Sequence, residues 1–359
     1  MIASPERNVS EDADDRDRRV ACAAQAQLSR ARLMERELSE RVSLTRPDGR
    51  LNPDAVGFAR RPLVDTAGLD GRRGWGRTKR WEYWNVITPT HIVALTVSSL
   101  DYAAVHEVWV FDRETRRSRG RTATVIPAHD VDLPPSLGAG AAIARARDLA
   151  VSVTPGTASW RLFAEIPDAS FDITVVRPPG QECLAVVVPW SRRRFQYTVK
   201  DVALPATGTI VVDGVEHAVP AGSWAVLDHG RGRWPYDVRW NWGAGAGVSG
   251  DRVIGLQVGG RWTDGTGSTE NGVFVDGVLH KISDELRWEY DLAHPLRPWR
   301  VRGGGLDATL TPFHDKHSAR NLGILSARTH QCFGVWAGTF DGIAFTGIEG
   351  FAEDVHNRW

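Results

Sequence analysis

The feature that most constrains this chain is a recurrence. From about Val42 onward, short runs of alternating bulky and polar residues are broken by turn sequences, roughly every 8–12 residues. Trp81–Ile87, His91–Val97, Val105–Asp112, Ser159–Pro167, Phe171–Arg177 and Cys183–Val188 are such runs. Alternation gives a strand two chemically distinct faces. Asp213-Gly214, Asp276-Gly277 and Asp341-Gly342 are the residue pairs that close two-residue hairpins. The pattern predicts an all-β chain built as barrels or sandwiches. There is no GxGxxG, no P-loop and no strand–helix alternation, which excludes a doubly wound nucleotide fold.

Composition narrows the reading. The chain has 15 Trp against 5 Tyr and 2 Met, with 36 Gly and 19 Pro. Tryptophans in such number either line a pocket or fill barrel cores. Lys+Arg and Asp+Glu are both 44, so no charge excess points to nucleic acid or an anionic membrane. No apolar run reaches membrane-spanning length. The first twenty residues are polar and acidic, without the pattern of a secretory signal, so a cytoplasmic protein is expected. Cys22, Cys183 and Cys332 are sparse and read as reduced structural thiols, with no disulfide framework and no metal site. Residues 22–42 predict an amphipathic helix with Leu28, Ala31, Met34 and Leu38 near one face. Leu137–Leu149, rich in Ala and Arg, predicts a second helix. The expected organisation is a lead-in over 1–41, one β domain over 42–225 and another over 226–359.

Residues 228–243 concentrate the chemistry. Asp228-His229 is an acid–histidine pair whose side chains face opposite ways if the segment is a strand. His229 can exchange a proton near neutral pH, and Asp228 can act as an acid if apolar walls raise its pKa. A turn in which Asp228 caps backbone N–H groups is the alternative. Gly230-Arg231-Gly232-Arg233 brings flexibility and charge that suit either a ligand anion or a solvated turn. Trp234 and the pair Trp240/Trp242, on one face with Asn241 opposite, form a stacking wall or a domain core. Tyr236 and Arg239 flank this wall as polar handles, and Tyr236 is included as a catalytic candidate.

Three further constellations stand apart. Trp262 to Asn271 is a polar, Gly-rich loop offering Asp264, Glu270 and Asn271, and two carboxylates at suitable spacing can run glycoside hydrolysis. Lys79–Trp84 alternates so that Glu82 and Trp84 share one face, Trp81 and Tyr83 the other. His314-Asp315-Lys316-His317 holds the one close histidine pair and reads as a polar loop, not a metal site.

Several of these blocks carry a resemblance. Asp48-Gly49-Arg50-Leu51-Asn52-Pro53, Lys79–Trp84, Leu227–Gly232, Trp240–Gly243, Thr263–Gly267, Thr269-Glu270-Asn271 and the tail Gly350–Glu353 with Asn357-Arg358-Trp359 resemble, in that order, the bacterial domain family of unknown function numbered 2804. The Asp-His followed by a Trp-containing segment is more distantly similar to the carotenoid 1,2-hydratase and tocopherol-cyclase-like superfamily. In this chain Gly-Arg-Gly follows the Asp-His and Trp-Asn-Trp comes later, a departure from that pattern. The resemblance implies two lipocalin-like antiparallel β-barrels in tandem after an N-terminal helix, with a site near their junction. It further implies a cofactor-independent hydratase, cyclase or isomerase acting on an apolar, isoprenoid-like molecule. Asp228, His229 and Tyr236 would handle the proton. Glu82, Arg231, Trp234, Arg239, Trp240, Trp242, Trp262, Asp264, Glu270 and Asn271 would bind the substrate. A lipid or pigment carrier and a carbohydrate-active protein using Asp264 and Glu270 are the alternatives.

Overall fold

The structure, a computed structural model, describes residues 35–71, 73–321 and 326–358. Short strands β1 (Val42–Ser43), β2 (Phe58–Ala59) and β3 (Val64–Asp65) come first, with 3-10 turns at Pro53–Ala55 and Ala67–Leu69. A long run follows: β4 (Thr78–Ile87), β5 (His91–Ser99), β6 (Ala104–Asp112), β7 (Ser118–Val125), β8 (Val131–Asp132), β9 (Ala142–Ala146) and β10 (Leu149–Pro155). It continues with β11 (Ser159–Ile166), β12 (Ala169–Val176), β13 (Leu184–Pro189), β14 (Phe195–Val212) and β15 (Val215–Arg233). Next are β16 (Asp237–Ser249), β17 (Arg252–Gly260), β18 (Asn271–Val275), β19 (Val278–Ile282) and β20 (Arg287–Glu289). The chain ends with β21 (Trp299–Gly303), β22 (Leu306–Asn321), β23 (Ser326–Phe340) and β24 (Ile343–Arg358).

These strands form two curled antiparallel sheets of one design. The first has the order β7-β6-β5-β4-β15-β14-β12-β11-β10-β9-β8, with β13 and β2 branching from β14. The second has the order β19-β18-β17-β16-β24-β23-β22-β21-β20. Each is an up-and-down meander whose first strand pairs with its last, β4 with β15 and β16 with β24. Each keeps one seam, between β7 and β8 in the first sheet and between β19 and β20 in the second. First-to-last pairing curls a meander into a barrel-like shape and removes most exposed edges.

Alternation decides which core each side chain joins. On β4, Trp84 and Val86 enter the interior of the first sheet with Val93, Leu95, Val108 and Leu227. The alternate residues Tyr83 and Ile87 face outward and meet Trp242, Phe274, Phe333 and Phe351 of the second sheet. The interior of the second sheet holds Leu256, Val273, Trp299, Trp336 and Cys332. Leu44, Leu51, Leu63 and Leu69 of the segment before β4 pack on Phe195, Tyr197 and Val199. The junction between the sheets therefore has an apolar core of its own.

The turn chemistry was legible. Asp213-Gly214, Asp276-Gly277 and Asp341-Gly342 have φ pairs of +50°/+81°, +52°/+83° and +44°/+84°. Positive φ at both central residues is the twist a two-residue hairpin needs. Three expectations are corrected. Leu137–Leu149 is not a helix: Ala142 and Ala144 are buried while Arg145 is exposed, the period of strand β9. Residues 314–317 lie within β22, just past a bulge after Pro312, and are not a loop. Gly230–Arg233 is the end of β15 and not a turn. The helix expected at 22–42 falls mostly outside the described residues, and 35–41 carry no helix. Among the described residues no helix is long and apolar enough to cross a membrane.

One glycine shows why that strand needs small residues. A β-carbon on Gly230 would lie 2.1 Å from Cζ2 of Trp81, whose ring crosses the strand there. Gly230→Ala is expected to lower stability by about 1–3 kcal/mol, because the indole has to leave its packed position. A urea titration followed by tryptophan fluorescence checks this, and an unchanged midpoint would show that the ring does not lie where described.

Candidate active site at the sheet junction

Three acidic residues converge on the junction from different strands. Asp228 comes from β15, Glu270 from the loop before β18, and Glu353 from β24. They are 8 %, 1 % and 6 % exposed, so water does not solvate them. Each is held by an indole N–H. Trp81 Nε1 donates to Asp228 Oδ2 at 2.9 Å, Trp262 Nε1 to Glu270 Oε1 at 2.6 Å, and Trp240 Nε1 to Glu353 Oε1 at 2.9 Å. Indole N–H groups are the donors an apolar wall can offer without breaking its packing. Thr198 Oγ1 adds a hydrogen bond to Asp228 Oδ1 at 3.0 Å, and Gln331 Nε2 one to Glu353 Oε2 at 3.1 Å.

A single ammonium sits among them. Lys200 Nζ on β14 is 3.1 Å from Asp228 Oδ1 and 3.4 Å from Glu270 Oε2. It also lies 3.9 Å from the ring centroid of Trp242. Burial would lower the pKa of this lysine, but Asp228 and Glu270 outweigh burial and raise it. Lys200 is thus a fixed cation and not a base. Gly259 makes room for Glu270, since a β-carbon there would fall 2.4 Å from Glu270 Cγ.

One ammonium cannot offset three carboxylates in a dry site. Protonation relieves the excess. Burial, reinforced by the Asp228 charge and opposed by the Trp240 bond and Lys200, pushes the Glu353 carboxyl up to about 7. Burial likewise raises Glu270, with Lys200 opposing it. Tyr83, whose hydroxyl accepts from Gln331 Nε2 at 3.0 Å, is raised by burial first and by Glu353 next. The cluster holds a proton near neutral pH inside a wall of indoles, the setting in which a carboxyl group serves as a general acid.

This has a consequence for stability. Glu353 shifts upward from its usual 4.5 to about 7 on folding, so the folded state binds the extra proton. Its contribution is fully present below pH 4.5 and fades as pH rises from there through about 7. The fall amounts to roughly 3 kcal/mol. Asp201, pushed by burial to about 6, adds a similar slope that ends near pH 6. Glu353→Gln is expected to remove its share of the decline between about pH 4.5 and 7 and to leave the Asp201 share, which ends near pH 6. Urea midpoints across that range check this, and a variant as pH-dependent as the parent would contradict it.

Five tryptophans close the cluster. Trp234 packs on Trp81, Trp190, Trp240 and Trp262, with centroids 5.4, 5.1, 5.9 and 5.7 Å away. Trp234 and Trp262 are buried, whereas Trp81, Trp190 and Trp240 are half-buried and form the edge nearest solvent. Two open clefts lie elsewhere. One of about 540 Å³ is lined by β7 and the β9–β10 hairpin. Another, of about 520 Å³, is lined by residues from Ser43 to Arg73.

The structure brings together Asp228, Trp234, Trp240, Trp242, Trp262 and Glu270 of the residues expected from sequence. Asn271 is beside them, holding Gly259 N at 2.7 Å through its Oδ1. Others are placed apart. His229 points into the first sheet, as strand alternation requires, with Nδ1 3.3 Å from Glu82 Oε1. Burial first, and Arg231 next, lower its pKa. Arg231 is also inside that sheet, donating to Trp81 O and Gly230 O at 2.8 Å and to Pro134 O at 3.1 Å. Tyr236 and Arg239 are exposed. Asp264 is exposed too and accepts from Arg261 N at 2.8 Å as a turn residue, so it does not pair with the buried Glu270. Sequence reasoning missed Lys200, Glu353 and Gln331. Among the described residues no three His, Cys, Asp or Glu side chains are placed to hold a metal ion.

Residues 35–359 match the profile of the family described as "Domain of unknown function (DUF2804)". No curated protein matches the chain. Among solved structures, CghA with Sch210972 is similar at 10 % identity and a TM-score of 0.51, covering 79 % of this chain and 89 % of that one. A protein of Nitrosomonas europaea provisionally assigned as AttH aligns at 14 % identity and 0.48 over 80 % and 94 %. Kievitone hydratase of Nectria haematococca aligns at 13 % and 0.46 over 79 % and 89 %. The likeness to CghA is one of fold.

Proposed function

The chain belongs to the DUF2804 family, and we propose that it is an enzyme moving a proton on an apolar small molecule at the sheet junction, in a reaction of hydratase, cyclase or isomerase type. The observation that carries this reading is the Glu353 carboxyl, raised to about 7 inside the indole wall with Asp228 and Glu270 nearby. Glu353 donates its proton to one carbon of an alkene. Positive charge develops on the neighbouring carbon, which the indole faces and the carboxylates stabilise. Water or an internal nucleophile adds there and Asp228 takes the proton released; the cycle closes when Asp228 gives that proton to solvent and Glu353 regains one from it. Lys200 holds Asp228 and Glu270 in place, at 3.1 and 3.4 Å. Access follows movement of the half-buried Trp81, Trp190 and Trp240. An apolar isoprenoid-like substrate fits this wall, and a small-molecule ligand is in keeping with a shared fold that was solved with Sch210972.

The test uses the full chain in D2O with a panel of unsaturated small molecules. The reading expects one compound to gain deuterium or water only with active protein, and Glu353→Gln to abolish it. Turnover that survives Glu353→Gln and Asp228→Asn together would overturn it.

A further inference from the structure

The Gly-Arg-Gly-Arg segment ends in a buried arginine, Arg233. Arg233 ends β15 on the side of the first sheet covered by the segment before β4, and is 5 % exposed. Its Nη1 donates to Gly49 O. Its Nε and Nη2 are buried with no hydrogen-bond partner. A buried guanidinium N–H left unpaired is costly, and a native protein supplies an acceptor for it.

The electrostatic surroundings sharpen the point. The charges acting on Arg233 are Asp101, which attracts it, and Arg194, Arg80 and Arg73, which repel it. Asp101 is already engaged: its Oδ2 accepts from Gly76 N at 2.7 Å and Thr78 N at 3.0 Å, and its Oδ1 is 3.7 Å from Arg80. Asp70 is taken by Arg80 at 2.9 Å. Asp48 lies 3.6 Å from Arg50. Among the described residues, no carboxylate lies within ion-pair distance of Arg73, Arg194 or Arg233.

Of these cations Arg73 lines the cleft of about 520 Å³, together with Arg46, Gly49 and Asp70. Gly49, at φ +76°, joins the cleft to Arg233. A β-carbon there would lie 3.3 Å from Arg233 Nη1, 3.8 Å from Nη2 and 3.3 Å from Arg73 Cδ. Gly74, also at φ +76°, lies over Nε, 2.5 Å from where its β-carbon would be. The two glycines thus pack directly on the guanidinium, where any side chain would displace it, beside a second arginine.

We propose that this cleft is a binding site for a phosphate-type oxyanion, held by Arg233 and Arg73 beside Gly49. Guanidinium groups suit such anions because their fork of donors matches two oxygens at once. The anion is free phosphate or the phosphate group of a small organic ester. It would fill the open hydrogen bonds of Arg233 and neutralise the arginine cluster.

The test is calorimetric titration of the full chain with inorganic phosphate and with glycerol phosphate, at ionic strength held constant with chloride. One saturable site is expected. Tighter binding of phosphate identifies the free ion, and tighter binding of the ester an organic phosphate. Arg73→Gln, at an exposed position, is expected to weaken binding roughly tenfold, with Arg233→Gln at least as severe. Arg147→Gln, on a side chain 94 % exposed in the other cleft, leaves affinity unchanged. Arg73→Gln keeps the proposal testable if Arg233→Gln does not fold. Absence of saturable binding by either anion, or parental affinity in Arg73→Gln, would overturn it.

Discussion

Lys200→Met is expected to destabilise the protein by about 3–5 kcal/mol at pH 8, among the largest effects of any single substitution. The size follows from what is left behind. Lys200 is the ammonium within ion-pair distance of both Asp228 and Glu270, at 3.1 and 3.4 Å, and the cation over Trp242. Methionine fills the space but leaves buried carboxylates facing one another without a countercharge. Those groups respond by taking up protons, so the loss should shrink at pH 5. Denaturant titrations at both pH values measure it. A loss below about 1 kcal/mol at pH 8 would mean that the carboxylates are solvated or already neutral.

The second large effect falls on catalysis. Glu353→Gln keeps the shape and can still accept from Trp240, but it holds no proton to give. Removing a general acid costs typically 10²–10⁴ in rate, so turnover of an identified substrate should fall by about that factor with little change in binding. His229→Gln separates this reading from one based on the acid–histidine pair. His229 faces Glu82 inside the first sheet, on the other side of the strand from Asp228. Its replacement should lower stability and leave the pH dependence of turnover in place. A rate loss for His229→Gln equal to that for Glu353→Gln would place the proton elsewhere.

Much of the fold was legible because its signals are local. The Asp-Gly turns fixed three hairpins, and period-two alternation marked most strands. Alternation also puts Asp228 and His229 on opposite faces of their strand. The misread helix at Leu137–Leu149 shows the limit. Alanine and arginine favour helices in isolation, but pairing with β10 and β8 overrides that preference. The Asp228, Trp240 and Trp242 side of the site was legible as a dense local cluster. Lys200 and Glu353 were not. In Gln196-Tyr197-Thr198-Val199-Lys200, the polar residues fall on one strand face, which reads as a face turned to water. Here that face meets the other sheet, a fact carried by long-range packing alone. Glu353 is likewise one acid among alternating residues of β24, and nothing nearby in sequence announces Trp240 as its partner. Asp264 was misplaced for the converse reason: a turn aspartate and a buried loop glutamate look alike until burial is known.

At the junction Glu353 holds a proton near neutral pH. Infrared difference spectroscopy of the carboxyl stretch, comparing the parent with Glu353→Gln across pH 5 to 8, measures it directly. A protonated-carboxyl band is expected in the parent, fading with a midpoint near 7 and missing from the variant. A parent spectrum with that carboxyl already ionised at pH 5, identical to the variant's, would contradict it.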